Sequence, residues 1–90
     1  GKVRGVYSVG DAEGEVLEAE VLDTSSIAGV ALRDVDFPEG VLVGGVRKAK
    51  GIVKPTGSMR LEAGDVVVIF ALAADVAAVE RLLQVSVDYF

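Results

Sequence analysis

The sequence predicts an α+β fold, in which a small and mostly antiparallel sheet of four to six strands packs in two layers with two helices. Several short stretches alternate apolar and polar residues with a period of two, as half-buried strands do. The run from Val66 to Phe70 contains no polar residue, and a stretch with helical spacing of apolar residues follows it. Taken in chain order, these signals predict the element order β-α-β-β-β-α-β.

The length of 90 residues predicts one domain, since domains typically hold about 100–150 residues. We expect residues 1–14 to form an N-terminal strand and linker, residues 15–84 the core, and residues 85–90 a terminal strand. The hydrophobic fraction of 51% is high for so small a domain and predicts apolar surface left over for a partner. Because the first residue is Gly rather than Met, we expect a piece of a longer protein.

The N-terminal part of the chain predicts two strands and a helix. Apolar and polar residues alternate from Val3 to Val9 and again from Glu15 to Leu22, where one face would be wet. The run from Asp23 to Ser26 offers several side chains that accept hydrogen bonds at a helix N-terminus. The helix predicted after it would bury a stripe formed by Ala28, Ala31, Leu32 and Val35.

The middle of the chain predicts a hairpin followed by a central strand. Val41 to Arg47 forms a strand in which Gly44-Gly45 indicates a bulge or a closely approaching backbone. Ile52 to Lys54 forms the next strand, which Pro55 ends because proline cannot donate a ladder hydrogen bond. Since Val66 to Phe70 lacks polar alternation, we expect it to be covered on both faces.

The last part of the chain predicts a second helix and a closing strand. Asp75 would lie in the first helical turn, where the helix dipole favours an anion. The alternation of residues 85–90 predicts a strand that pairs with the strand of Val3 to Val9, in the same chain or in a neighbour. The apolar stripe of this helix is formed by Leu72, Val76, Val79 and Leu83.

Charge and composition exclude several classes of function. The net charge of −5 argues against nucleic acid as a partner and against attachment to anionic lipid. The longest apolar run, Val66 to Ala74, is far shorter than the roughly 20 residues that span a bilayer, so we expect no direct membrane insertion. The chain has no Cys and no His, which removes thiolate chemistry, the commonest general base and the commonest zinc ligand.

The acidic residues favour a solvated strand face over a metal or acid/base site. A hard cation needs six to eight converging oxygen ligands, which a single strand does not supply. The glycine motifs that bind dinucleotides and nucleotide phosphates are both absent from the sequence. We therefore predict no catalytic, cofactor-binding or metal-binding residues in this chain. The acidic cluster consists of Glu13, Glu15, Glu18, Glu20 and Asp23.

The cations gather in the predicted hairpin, whereas residues 11–39 carry nine acids and a single base. We take Arg47, Lys48 and Lys50 as candidate residues for binding an anionic ligand such as a nucleotide. An exposed hairpin kept soluble by its lysines is the other interpretation. The candidate dimer interface surrounds the Gly-Gly strand and consists of Val43, Gly44, Gly45 and Val46.

Laid out in order, these segments resemble the TrkA C-terminal domain, which is the C-terminal half of the RCK module (regulator of potassium conductance) of bacterial K⁺ uptake systems and K⁺ channels. The resemblance covers nearly all of the chain from about Val3, and residues 85–90 are similar to the way proteobacterial members end. The segments that carry it are residues 18–26, residues 27–34, Phe37-Pro-Glu-Gly40, Val46-Arg47, Pro55, and residues 61–70 with the helix that follows.

The resemblance implies a non-enzymatic regulatory and dimerisation domain in a cytoplasmic subunit, which is peripheral to the inner membrane and controls a potassium transporter there. Its implied partners are other copies of itself, as a homodimer or a larger homo-oligomer, and the transporter's membrane subunit. In this family NAD(H) or another nucleotide binds to an N-terminal Rossmann half that is absent here, so no cofactor is implied for this chain.

The resemblance also implies that some relatives bind a second ligand, such as cyclic di-AMP or a cation, at a dimer interface. The chain departs from the family where many members carry a Pro-Arg-Gly-Asp-like run, which here is Pro55-Thr56-Gly57-Ser58. Two alternatives stay open at this point. One is a small-molecule sensor that acts without a transporter, and the other is an enzyme whose paired carboxylates converge from distant segments.

Overall fold

The computed structural model describes residues 2–9 and 14–83. They form a five-stranded sheet with the order β1-β2-β5-β3-β4, in which every pair of neighbouring strands is antiparallel. The α+β class, with its antiparallel sheet, is therefore confirmed. The elements are β1 (Lys2–Val9), β2 (Gly14–Glu20), β3 (Val41–Lys48), β4 (Gly51–Val53), β5 (Val66–Leu72) and helix α1 (Val76–Leu83).

Strand β5 lies at the centre of the sheet, as its apolar sequence predicts. It pairs with β2 on one side and with β3 on the other, so that Ile69 lies opposite both Leu17 and Val43. The register with β3 shifts between Val43 and Gly45, which is the bulge predicted at the two glycines. Because of the extra residue, Val43 and Val46 both face the core although they are three positions apart.

The core lies between one face of the sheet and a layer made of α1 and the loops. Alternate residues of β5 and β2 point into it, and α1 covers them with Val79 and Leu83, neither of which has any exposed surface. Leu61, which precedes β5, is likewise fully buried. The buried cluster consists of Leu17, Ala19, Val21, Ile27, Val46, Leu61, Val67, Ile69, Ala71, Val79 and Leu83.

The prediction of an α-helix after Ser26 is wrong. The segment forms successive turns and a single 3₁₀ turn, Leu32–Asp34. Gly29 has a φ of 82°, a left-handed conformation that an α-helix does not contain. The backbone N–H of Gly29 donates to Leu61 O at 2.6 Å and that of Leu32 to Met59 O at 2.9 Å. The segment therefore pairs with the loop before β5 instead of closing helical hydrogen bonds.

Ser25, predicted as a helix cap, caps a turn and contacts α1 instead. Its Oγ accepts a hydrogen bond from the N–H of Ile27 at 3.4 Å and donates one to Leu83 O at 3.5 Å. The residue is buried, so both bonds form away from water. This serine joins the turn after β2 to the last residue of α1.

The second predicted helix is confirmed as α1, which follows a 3₁₀ turn at Ala73–Asp75. Val76 packs against the core and Val79 and Leu83 lie within it, as the stripe predicts. Leu72 is a correction, because it ends β5 and is 53% exposed rather than facing the core from the helix. The predicted strand of residues 85–90 lies outside the described residues.

The prediction that β5 is covered on both faces is also wrong. Val67 and Ile69 have no exposed surface, whereas Phe70 is 43% exposed and Val68 is half-buried. The layer of α1 and loops covers only the face that carries the buried cluster. The apolar side chains of the opposite face are left open within the described chain.

Candidate interaction surface

The uncovered face of the sheet carries an apolar patch, which we call the open face. It is built from alternate residues of β2, β5 and β3, together with Ile52 of β4, which point away from the core. Single exposed apolar residues are ordinary, but a contiguous group of them marks a surface that contacts another molecule. Its most exposed large side chains are Leu42 at 67%, Ile52 at 75%, Phe70 at 43% and Leu72 at 53%.

The glycine bulge shapes the centre of the open face. A Cβ added at Gly44 would clash with the ring of Phe70, so that ring lies directly over the glycine backbone. The absence of a side chain at Gly44 leaves the room against β3 that the ring occupies. Phe70, which is 43% exposed, lies next to Leu42, its register partner in β3.

Charged residues border the open face on opposite sides. Glu18 and Glu20 lie on β2 and are half-buried, whereas Arg47 lies on β3 and is exposed. The register places Glu20 and Arg47 at the same level, on either side of Val66 in β5. One side of the face is therefore acidic, and the other is basic at that level.

Lys48 forms an ion pair with Asp65 on the face of the sheet opposite the open face. Its Nζ donates to Asp65 Oδ2 at 2.5 Å, to Glu62 Oε1 at 3.4 Å and to Arg60 O at 3.1 Å. The same Asp65 oxygen accepts the backbone N–H of Glu62 at 2.9 Å, which closes the turn before β5. Asp65 is buried, so this carboxylate is neutralised by Lys48 and not by solvent.

The surroundings of Lys48 favour its charged form. Burial alone would lower its pKa, but the hydrogen bond and charge of Asp65 outweigh burial, with a smaller contribution from Glu62. The pKa of Lys48 is therefore raised above the ordinary lysine value. Asp65 is the partner that sequence reasoning missed, although its place in the turn next to Gly64 was visible.

The three predicted ligand residues do not converge on one cationic site. Arg47 and Lys48 are successive residues of β3 and point to opposite faces, and Lys50 is exposed in the turn after it. A depression of about 550 Å³ at this end of the sheet is lined by Arg47 and Lys48, but also by Glu20 and Asp65. Its charges are balanced, so the prediction of an anion site gains no support from the geometry and stays a prediction.

The four predicted interface residues are split between the two faces. Gly44 is exposed on the open face, and Gly45 beside it is buried. Val43 packs against the core, and Val46 lies fully inside it. The prediction of a dimer interface at these residues stays a prediction, and on this strand the open face offers Leu42 and Gly44 rather than the two valines.

The carboxylates of the predicted acidic cluster do not gather into a metal site where the structure describes them. Within residues 2–9 and 14–83, no three acidic side chains are arranged to hold a metal ion. Glu13 lies outside these residues, and Asp23 is exposed in the turn after β2. Glu18 and Glu20 share the open face as period-two neighbours and are half-buried, and the interpretation of the acidic cluster as a solvated strand face stays a prediction.

The apolar run from Val66 to Ala74 begins at the first residue of β5. In the described part of the chain, no helix has the length and apolar character needed to cross a membrane. Much of the run forms β5, whose side chains face the core and the open face in turn.

Residues 16–84 match the family model described as the TrkA-C domain. The chain belongs to the TrkA-C domain family. The matched range begins in β2 and continues one residue beyond α1, so among the elements of the described fold it lacks only β1 and the first two residues of β2. The resemblance drawn from the sequence segments is thus confirmed, and the order of those segments was sufficient to find it.

Curated relatives of this TrkA-C domain are named as potassium uptake proteins. The chain is 43% identical over 90 residues to the Trk system potassium uptake protein TrkA of Azorhizobium caulinodans, covering all of this chain and 20% of that protein. It is 35% identical over 84 residues to TrkA homolog 1 of Methanosarcina mazei, covering 90% and 19%. The chain therefore spans about a fifth of the length of these relatives.

A solved structure supports the fold of this TrkA-C domain. The chain is similar to a protein described as "Structure of RCK domain with cda", with a TM-score of 0.66 over 77% of this chain and 97% of that one. The sequence identity is 17%, so the likeness concerns the fold alone. It agrees with the RCK fold that the sequence resemblance implies.

Proposed function

We propose that this TrkA-C domain is a non-catalytic regulatory domain of a potassium uptake system, acting in a cytoplasmic protein at the membrane transporter. The observation that carries the proposal is the 43% identity, over all 90 residues, to a potassium uptake protein. An identity at that level across a whole domain supports a shared role as well as a shared fold. The transporter's membrane subunit and further copies of the chain are the proposed partners.

The chemistry of the described residues is consistent with a role in contact rather than in catalysis. The chain lacks histidine and cysteine, and its buried acid, Asp65, is occupied by Lys48 and by the backbone of the turn. The open face provides exposed apolar area, which favours binding to protein. NAD or a nucleotide is expected on a Rossmann half, which this chain does not contain.

Rubidium uptake in cells tests the proposal. The full-length protein that contains this chain would be expressed in cells that lack their own subunit of this kind, with and without residues 14–83. Rubidium replaces potassium as the tracer. We expect deletion to abolish the regulated part of uptake while nucleotide binding by the remaining protein stays intact, which shows that the remainder is folded. Unchanged uptake after deletion would contradict the proposal.

The alternative function is a sensor of a nucleotide-like anion that acts without a transporter. It depends on Arg47, Lys48 and Lys50, of which Lys48 already neutralises two acids. Titration calorimetry of the chain with cyclic di-AMP separates the two functions. Binding that is lost in Arg47→Ala and Lys50→Ala variants would favour the sensor, and the absence of heat would leave the regulatory domain as the better account.

A further inference from the structure

The loop between β4 and β5 carries exposed hydroxyl groups flanked by cations, and we call residues 54–60 the hydroxyl loop. The hydroxyl oxygens of Thr56 and Ser58 lie 3.5 Å apart, so these two side chains share one side of the loop. A lysine lies two residues before this pair and an arginine two residues after it. The four exposed residues are Lys54, Thr56, Ser58 and Arg60.

A third cation meets the hydroxyl loop from the neighbouring segment. The backbone N–H of Arg33 donates to Gly57 O at 3.0 Å, and that of Leu32 donates to Met59 O at 2.9 Å. Ser58 lies between these two acceptors, so Arg33 and Leu32 are the residues across from it. A Cβ built at Gly57 would lie 3.4 Å from the Cβ of Arg33. The side chain of Arg33, which is exposed, therefore starts beside the turn that contains Ser58.

The three cations around the hydroxyl loop have no acidic partner among the described residues. Both ion pairs found there belong to Lys48, on another part of the fold. Asp34 and Asp36 follow the arginine of the neighbouring segment but lie beyond ion-pair distance of any described cation. Such a group of cations contrasts with the whole chain, in which 14 acids outnumber 9 basic residues. The local charge therefore favours an anionic group at this loop.

From this arrangement we infer that Ser58 is a phosphorylation site, at which a protein kinase transfers a phosphoryl group from a nucleoside triphosphate, and that Arg33 and Arg60 bind the phosphate formed. The Ser58 oxygen bonds to the γ-phosphorus while the bond from that phosphorus to the β,γ-bridging oxygen breaks. The nucleoside diphosphate leaves, and the hydroxyl proton passes to the base of the kinase. The inference goes beyond the proposed function and does not depend on it.

The exposed position of the hydroxyl loop favours a covalently attached phosphate over a free one. Ion pairs at a protein surface contribute little to binding, so three cations alone would hold a free anion weakly. A bond to the Ser58 oxygen keeps the phosphate at the site whatever its concentration in solution. Exposure also lets an enzyme reach the hydroxyl, because Ser58 lies outside the helices and strands.

Arg60 is already oriented for such a phosphate. Its Nη1 donates to Gly29 O at 2.8 Å, which holds the guanidinium group against the neighbouring segment. The guanidinium has five N–H donors in a planar fork, so donors remain for phosphate oxygens. A phosphate on Ser58 that contacts both Arg33 and Arg60 would add a second connection between the hydroxyl loop and this segment. Phosphorylation should therefore make the contact between them more rigid.

The binding of the phosphate by the arginines is tested by phosphorus NMR. The chain would be produced with phosphoserine incorporated at position 58 during synthesis. We expect the second pKa of the phosphate, which is about 6 without neighbours, to be at least about 0.5 lower in the folded chain than in concentrated urea. The reason is that neighbouring cations favour the doubly charged form of the phosphate.

Arginine variants show whether this shift comes from the proposed contacts. Arg33→Ala and Arg60→Ala should each reduce it, and the two changes together should abolish it. Arg81→Ala is the matched control, since this exposed arginine lies in α1 and not beside the hydroxyl loop, and the shift should stay. Circular dichroism confirms folding of every variant. A phosphate pKa that is equal in the folded and unfolded chains would overturn the inference.

Transfer of the phosphoryl group is tested separately, with ATP labelled in its γ-phosphate and a lysate of the cells from which the sequence comes. We expect the unaltered chain to take up label, and mass spectrometry to place the phosphate in residues 51–60. Ser58→Ala should lose most of the label. Ser26→Ala, which removes another exposed serine, should keep it. An unlabelled chain, or equal label in the Ser58→Ala variant, would overturn the inference.

Discussion

Both faces of β5 carry apolar side chains, but the rest of the described chain covers only one of them. Ile69 and Phe70 are adjacent, yet Ile69 has no exposed surface and Phe70 is 43% exposed. The difference lies in what covers them, because α1 and the loops form one layer and lie on one side. The hydrophobicity of a strand therefore does not reveal which of its faces the rest of the chain covers.

The largest difference between the faces should appear when one apolar side chain is truncated on each. We expect Ile69→Ala to lower the free energy of unfolding by about 2–5 kcal/mol, because it opens a cavity in the buried cluster. Leu42→Ala, its matched control on the open face, should change it by less than about 1 kcal/mol. Urea unfolding at low micromolar concentration measures both. Equal losses would mean that the two faces are equally covered within one chain.

A smaller effect is expected at the Lys48–Asp65 ion pair, which holds the turn before β5 on the covered side. We expect Lys48→Met to cost about 1–3 kcal/mol, because Asp65 would keep its buried charge without the ammonium group. Lys54→Met is the matched control, since Lys54 is exposed just after β4. Thermal unfolding followed by circular dichroism compares the two. A cost as small as that of the control would show that solvent reaches Asp65.

The same ion pair predicts a dependence on alkaline pH. The pKa of Lys48 is higher in the folded chain than its ordinary value, so its contribution is complete below that ordinary value. The contribution should be lost as the pH rises through the raised pKa. Unfolding measured from pH 8 upward should therefore show the difference between the unaltered chain and Lys48→Met shrinking as Lys48 loses its proton.

The smallest effect is expected at the centre of the open face. Gly44→Ala places a methyl group where the Phe70 ring lies, and we expect a loss of about 1 kcal/mol as the ring moves away. In the Phe70→Ala background the same change should cost less, because the ring is gone. A double-mutant cycle measures this coupling. Additive effects would mean that the ring does not rest on Gly44.

The sheet was largely predictable, because period-two alternation and turn residues report on local geometry. The glycine pair marked the bulge in β3, and Pro55 marked the end of the hairpin. The helix predicted after Ser26 failed because its apolar spacing also suits a series of turns. What decided between them was hydrogen bonding to Met59 and Leu61, about thirty residues away, which no local pattern reveals.

The candidate surface was less predictable than the fold. The excess of hydrophobic residues correctly indicated apolar area beyond the needs of the core, but it did not locate that area. Clustering of cations in the sequence suggested a shared site, whereas strand geometry sends Arg47 and Lys48 to opposite faces. The role of Lys48 depends on Asp65, seventeen residues away and on another element. Such pairs are found from the three-dimensional arrangement.

The position of β5 also bears on how the chain folds. Strands β1 and β2 form one hairpin and β3 and β4 another, and they meet only through β5, the last strand of the described chain to be synthesised. During synthesis both hairpins would therefore leave the ribosome, with the strands that pair with β5 still unpaired, before β5 emerges. Pairing across such long sequence separations is slow. Folding of this domain should accordingly wait for residues 66–83, and a stop codon before Val66 would leave no half able to fold alone.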